Sequence, residues 1–145
     1  MEPYFDYNSV PHDFIHCSNQ QCPHAQECLR YFVMQHLPPE CETIRTITPA
    51  YPNGKECRYF LSSEKQKFAR GIKHIYDNLP HQKAVEIKKN IINHFGKTLY
   101  YRIWREEYLI TPAQQRYIQG VFRRKGIMEA PEYDAILNQY AWEKE

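Results

Sequence analysis

Glycine is scarce in this sequence, with five copies in 145 residues, and none falls into a phosphate-cradling pattern. A P-loop or a dinucleotide fingerprint needs such a pattern, because glycine lets backbone approach a phosphate closely. There is no HExxH segment, which removes the zinc-protease helix. No CxxC pair occurs, which argues against a zinc ribbon. Internal repeats, low-complexity tracts and Gly/Ser linkers are also missing. No apolar run approaches the roughly 20 residues that span a bilayer. The opening, Met1-Glu2-Pro3-Tyr4-Phe5-Asp6-Tyr7, lacks the basic and apolar segments of a secretion signal. The expected compartment is the cytoplasm. Thiols stay reduced there, and clustered cysteines bind metal or react more often than they form disulfides.

Hydrophobic residues make up 42% of the chain, enough to bury a core rather than remain disordered. Tyrosine is frequent, with 12 copies, and suits both small cores and binding faces. The net charge of +2 hides an asymmetry. Residues 1–57 carry three basic side chains against seven acidic ones. From Lys65 to Lys125 the count is 14 basic against four acidic (Asp77, Glu86, Glu106, Glu107). A field of that sign attracts polyanions, although a lysine-rich solvated helix surface has the same composition.

The composition changes near residue 60, from cysteine- and proline-rich to helical and basic. The expected division is therefore a cysteine-rich module over 1–60 and a basic helical region over 61–145. Pro3, Pro11 and Pro23 prevent a long helix at the start. Pro23 suits the first position of a helix running to about His36, with Cys28 inside it and Pro38-Pro39 ending it. Glu42 to Thr48 alternates and is β-branched, so it reads as a strand. Asn53-Gly54 signals a turn, after which Cys57 to Leu61 reads as a returning strand.

Further along, Ser63 with Gln66 resembles a capping box, opening a helix with Phe68, Ile72, Ile75 and Leu79 on its inner face. A second helix carries Ala84, Ile87, Ile91 and Phe95 and stops at Gly96. Thr98 caps a third, from Leu99 to about Tyr108. Thr111-Pro112 with Gln114 starts a fourth, carrying Ile118, Val121 and Phe122 and ending at Gly126. A short fifth helix from Pro131 would use Tyr133, Ile136, Leu137 and Tyr140. The fold class expected is α+β, mainly α: a small metal-stapled module packed on a helical bundle.

The cysteines are spaced Cys17-x4-Cys22-x5-Cys28, followed by a long gap to Cys57. Zinc takes four thiolates tetrahedrally, and a cubane iron–sulfur cluster also takes four. A tight loop followed by a helix brings three sulfurs together, and a distant turn delivers the fourth. Such a site staples a region too small to be stable on its core alone. Zinc tolerates varied spacing better than the stereotyped cluster motifs, so zinc is expected first and an iron–sulfur cluster second. His16, His24 and Cys41 lie close enough in sequence to substitute. Cys57 is preferred to Cys41 because the Asn53-Gly54 turn immediately precedes it. Inert buried thiols and redox chemistry are the other readings of the same residues.

The segment Lys83–Gly126 has the grammar of a helix-turn-helix: one helix ends at Gly96 and the next begins at Thr98. On the second helix Tyr101, Arg102 and Arg105 are candidates to face outward, and arginine is the commonest reader of guanine. Lys88, Lys89, Lys97, Arg123 and Arg124 are placed to contact phosphates. Glu106 and Glu107 oppose that reading, and Tyr100, Tyr101 and Trp104 also fit a core. DNA or RNA is the expected partner. A protein-interaction adaptor is the alternative, since Tyr, Trp and Arg anchor protein interfaces too. No convergent catalytic set emerges. His12, Asp13 and His16 near Cys17 could be arranged as a Cys–His pair, but no set of named roles converges, so an enzyme is not expected.

The segments FIHCSNQQCPHAQECLRYF and CRYF, together with YDNLPHQKAVEIKKNIINHFGKTLYYRIWREEYLITPAQQRYIQGVFRRKGI, resemble a family of bacterial proteins of unknown function from gut anaerobes. The resemblance runs from about Phe5 to Trp142. It implies that the cysteine and helical blocks belong together, in a bacterial cytoplasm. It also implies that Cys41 lies outside the cysteine pattern. It brings no activity.

Overall fold

The computed structural model describes residues 5–48 and 57–144. The Asn53-Gly54 turn expected from the sequence lies outside the described residues. The chain divides into two compact units. One takes the described residues through Lys65 together with those from Tyr140 onward. The other is Gln66–Gln139. The class is α+β and mainly helical, with four α-helices and two small sheets among the described residues.

The first unit has a short strand β1 (Ile15–His16), helix α1 (Leu29–Gln35) and strand β2 (Arg45–Thr46). β1 and β2 pair in parallel, with Ile15 opposite Arg45 and His16 opposite Thr46. The alternation expected over 42–48 thus survives as two paired residues. Its partner is β1 and not the segment after Cys57, which forms a turn. Phe14, Leu29, Val33 and Leu61 are the buried apolar core. Aromatic rings close it, including Phe5 on Phe32 (5.1 Å) and Phe14 on Trp142 (5.1 Å), both edge-on.

Cys28 does not lie inside a helix as expected. A 3-10 turn covers Ala25–Glu27, and Cys28 is extended (φ −102°, ψ 127°) just before α1. The cause is a pairing with the segment after Cys57. Leu29 N–H donates to Leu61 O at 2.6 Å, and Ser63 N–H donates to Glu27 O at 2.9 Å. Those two bonds hold Cys28 opposite Ser62 as an isolated antiparallel bridge.

The second unit contains strand β3 (Gln66–Arg70), helices α2 (His81–Phe95), α3 (Lys97–Trp104) and α4 (Pro112–Arg124), and strand β4 (Ala135–Gln139). β3 and β4 run antiparallel, from Gln66 opposite Gln139 to Arg70 opposite Ala135. Ala69 also bridges to Ile110, which places β3 in the middle. The core gathers Ile72, Ile87, Ile91, Tyr100, Ile103 and Ile118, with Val121 and Phe122 from α4.

Two expected helices are strands here. The stretch from Ser63 becomes β3, and the stretch from Pro131 becomes β4. Each satisfies its backbone on the other, a pairing that outweighs local helical spacing. At Gly71 the chain turns at φ +82°, which favours glycine and stops the strand. Ile72 and Ile75 are buried as expected, but outside any helix.

The helices expected around α2 and α4 are present. α4 opens with a complete capping box. Thr111 Oγ1 accepts from Gln114 N–H at 3.2 Å, and Gln114 Oε1 accepts from Thr111 N–H at 2.9 Å. α2 lies alongside α4. Lys83 Nζ donates to Lys125 O at 2.6 Å, and the His94 and Tyr117 rings stack at 3.6 Å. Those contacts join the start of one helix to the end of the other, so α2 and α4 are antiparallel.

Candidate functional site

Cys17, Cys22, Cys28 and Cys57 line a single cavity of about 30 Å³ in the first unit. Each reaches it from a different local structure. Cys17 follows β1, and its N–H donates to Arg30 O at 3.3 Å. Cys22 sits in a turn begun by Asn19, whose Oδ1 accepts from Gln21 N–H at 3.0 Å. Cys28 is fixed by the bridge to Ser62. Cys57 starts a turn in which its carbonyl accepts from Phe60 N–H at 3.2 Å. All four are half-buried thiols outside any disulfide. Among the described residues, no three His, Cys, Asp or Glu side chains already stand at metal-holding geometry. The fold therefore collects four sulfurs around one small space without closing them on a point.

Arg30 lines the same cavity. Its Nε donates to Tyr59 O at 2.6 Å and its Nη1 to Ile15 O at 2.9 Å. The guanidinium lies 4.9 Å from the centre of the Phe14 ring and 5.9 Å from that of Tyr59. Burial pulls its pKa below the ordinary arginine value, and the negative charge available on Cys28, Cys57, Tyr59 and Cys17 opposes that pull. Sequence reasoning missed this residue. An arginine at a helix start carries no local signal that its partners are carbonyls beside two distant cysteines. His24 also lines the cavity, edge-on to Phe60 at 5.8 Å.

Cys41 lies elsewhere. It lines a separate hollow of about 500 Å³ with Tyr7, His12, Asp13 and His16. His16 is buried there, and its Nδ1 faces two carbonyl oxygens, Phe14 O (2.9 Å) and Arg45 O (3.2 Å). That nitrogen must carry the hydrogen, so Nε2 accepts from Tyr7 O–H at 2.6 Å. Burial and then the neighbouring Cys41 raise the Tyr7 pKa. His16 is thereby a satisfied core histidine joined to Tyr7. It does not line the four-cysteine cavity, so it is not brought into a Cys–His pair with Cys17.

The basic candidates sit in the second unit. Lys88, Lys89, Lys97, Thr98, Tyr101 and Arg102 are exposed on α2 and α3, and Arg123 and Arg124 on α4. Gly96 alone separates α2 from α3, shorter than the three- or four-residue turn of a helix-turn-helix. α3 ends at Trp104, so Arg105 lies just past it. Its Nε and Nη2 both donate to the Glu107 carboxylate at 3.1 Å. That pairing raises the Arg105 pKa and lowers that of Glu107. Arg102 lies 5.8 Å from the centre of the Tyr108 ring, and Arg124 the same distance from that of Tyr117. Tyr100 belongs to the core, where its hydroxyl meets that of Tyr76 at 3.1 Å.

The whole arrangement, cysteine cavity and helical unit together, falls within one family match covering residues 1–142. The chain belongs to the Family of unknown function (DUF6078). No curated protein and no solved structure matches it. The match over residues 1–142 agrees with the family resemblance noted from the sequence. No helix among the described residues is long and apolar enough to cross a membrane.

Proposed function

We propose that Cys17, Cys22, Cys28 and Cys57 bind one zinc ion as a structural staple, and that the helical unit of this DUF6078 protein binds nucleic acid. The observation that carries the metal reading is the convergence of four thiols, from four separate local structures, on one cavity. Zinc is preferred to an iron–sulfur cluster because structural zinc tolerates varied cysteine spacing such as Cys17-x4-Cys22-x5-Cys28, whereas cluster motifs are more stereotyped. Zinc–thiolate bonds of about 2.3 Å require the sulfurs to close inward, so binding draws the four segments together. The unit has reason to need this, since among the described residues its cluster of fully buried apolar side chains is small (Phe14, Leu29, Val33 and Leu61), with partly buried rings packed around it. A reducing compartment such as the cytoplasm keeps the thiols available.

The nucleic-acid reading rests on which charges remain outward. Lys88, Lys89, Lys97, Arg102, Arg123 and Arg124 are exposed. Of the acids in the same region, Asp77 pairs with His74 (2.8 Å), Glu86 with Lys125 (3.5 Å) and Glu107 with Arg105 (3.1 Å). Glu106 is exposed in the same region, and the surface left over is basic on balance. Arg105 is held by Glu107 and contributes little, so the contacts fall to the phosphate-type residues rather than to a reading helix. Labelled duplex and single-stranded oligonucleotides titrated across a salt series test this. Replacing Lys88, Lys89, Arg123 and Arg124 with alanine lowers the salt slope by about 0.9 per lost phosphate contact. Retention of a protein partner with no oligonucleotide binding at low salt would favour an adaptor instead.

A further inference from the structure

We infer that Arg30 is the positioning residue of the cysteine site, holding two ligand segments in register and balancing the charge that the thiolates bring to a metal ion. This rests on the zinc reading above. The geometry ties Arg30 to three of the four cysteine segments. Its own position is two residues past Cys28, and its carbonyl accepts from Cys17 N–H at 3.3 Å. Its fork reaches Ile15 O, two residues before Cys17, at 2.9 Å, and Tyr59 O, two residues after Cys57, at 2.6 Å. The guanidinium plane is then fixed near the Phe14 and Tyr59 rings. These bonds hold the segments bearing Cys17, Cys28 and Cys57 beside one another.

The charge argument points the same way. Four thiolates around a zinc ion leave a net charge of about −2, which is costly in a half-buried site. Among the described residues lining the cavity, Arg30 alone carries a permanent positive charge. Outer-sphere donors of this kind orient ligands and tune the metal. Lysine cannot substitute fully, because a single ammonium replaces a rigid fork that spans two carbonyls.

The test uses the full chain, purified without oxygen, as wild type, Arg30→Met and Arg30→Lys. Zinc affinity is read by competition with a chromophoric chelator. The sulfur-to-cobalt charge-transfer band is read after loading with cobalt(II), and far-ultraviolet circular dichroism checks folding. Arg30→Met is expected to weaken zinc about 10–100-fold and to move the band while keeping a four-thiolate spectrum. Arg30→Lys keeps the charge and restores the band position, yet stays about tenfold weaker because the fork is lost. Wild-type affinity and band position in Arg30→Met overturn the inference and leave the zinc site standing. Wild-type affinity in Arg30→Lys overturns the positioning role even if Arg30→Met does not fold. A wild-type chain that takes up neither zinc nor cobalt overturns the zinc reading itself, a different result from either variant outcome.

Discussion

Replacing Gly71 with alanine puts the junction of β3 and β4 under a specific and calculable load. Gly71 adopts φ +82°, and its carbonyl accepts from Asp134 N–H at 3.1 Å. A methyl group there meets Asp134 Cβ and Cγ at 2.8 Å, and Asp134 Oδ2 closer still. The Asp134 Cβ is fixed to backbone and cannot swing away. The positive φ costs about 1–2 kcal/mol for a residue with a side chain. Overpacking adds about 1–3 kcal/mol, so the expected loss is about 2–5 kcal/mol. Gly96→Ala is the comparison, since φ is +86° there and nothing lies within 4 Å of the added carbon. Its cost is backbone alone, about 1–3 kcal/mol. Urea unfolding followed by circular dichroism measures both. The double variant Gly71→Ala/Asp134→Gly removes the steric partner and should recover much of the contact cost. A Gly71→Ala loss below about 1 kcal/mol, or no recovery in the double variant, refutes the close approach of the two strand ends.

Three further outcomes follow from buried tyrosines and the α4 cap. Tyr133 buries a hydroxyl with no hydrogen-bond partner among the described residues, so Tyr133→Phe should stabilise the protein by about 1 kcal/mol in urea unfolding. Thr111→Ala deletes one side of the capping box and should cost about 1 kcal/mol by the same assay. Burial holds the pKa values of Tyr76, Tyr100 and Tyr133 above the ordinary 10.0, with the Tyr100 hydrogen bond adding to the rise at Tyr76. The unfolded chain then releases these protons first as pH rises. Their stabilising contribution is complete below about pH 10 and declines above it, which urea midpoints measured upward from about pH 8 will show.

The parts legible in the sequence were those specified locally. Ile87, Ile91 and Phe95 at helical spacing, Gly96 after them, and the Thr111-Pro112-Gln114 signature all report on neighbours within a few residues. α2 and α4 follow from them. The two strands of the second unit were not legible, because what makes them strands is a partner far along the chain. Phe68 and Ile72 have helical spacing, yet Phe68 pairs with Leu137, and Gly71 requires a conformation that ends the run. Ile136, expected on the inner face of a helix, is 52% exposed on β4 because strand alternation points it outward. In the first unit, composition drew attention to Cys17, Cys22, Cys28 and Cys57, and the fold places them on one cavity. The same reasoning misplaced Cys28 in a helix, since its extended backbone depends on Leu61 and Ser63. Arg30 escaped notice for the same reason. The basic residues were legible by charge count, but the Arg105–Glu107 pairing was legible only as a repulsion to be feared.

The most direct test of the proposed site is the metal content of the full chain purified without oxygen, compared with Cys22→Ser. About one zinc per chain in a colourless solution is expected, with metal and much of the stability lost in the variant. A brown, iron-bearing protein would replace zinc with a cluster. A wild-type chain free of metal, or a Cys22→Ser chain as stable as wild type, would contradict the structural site.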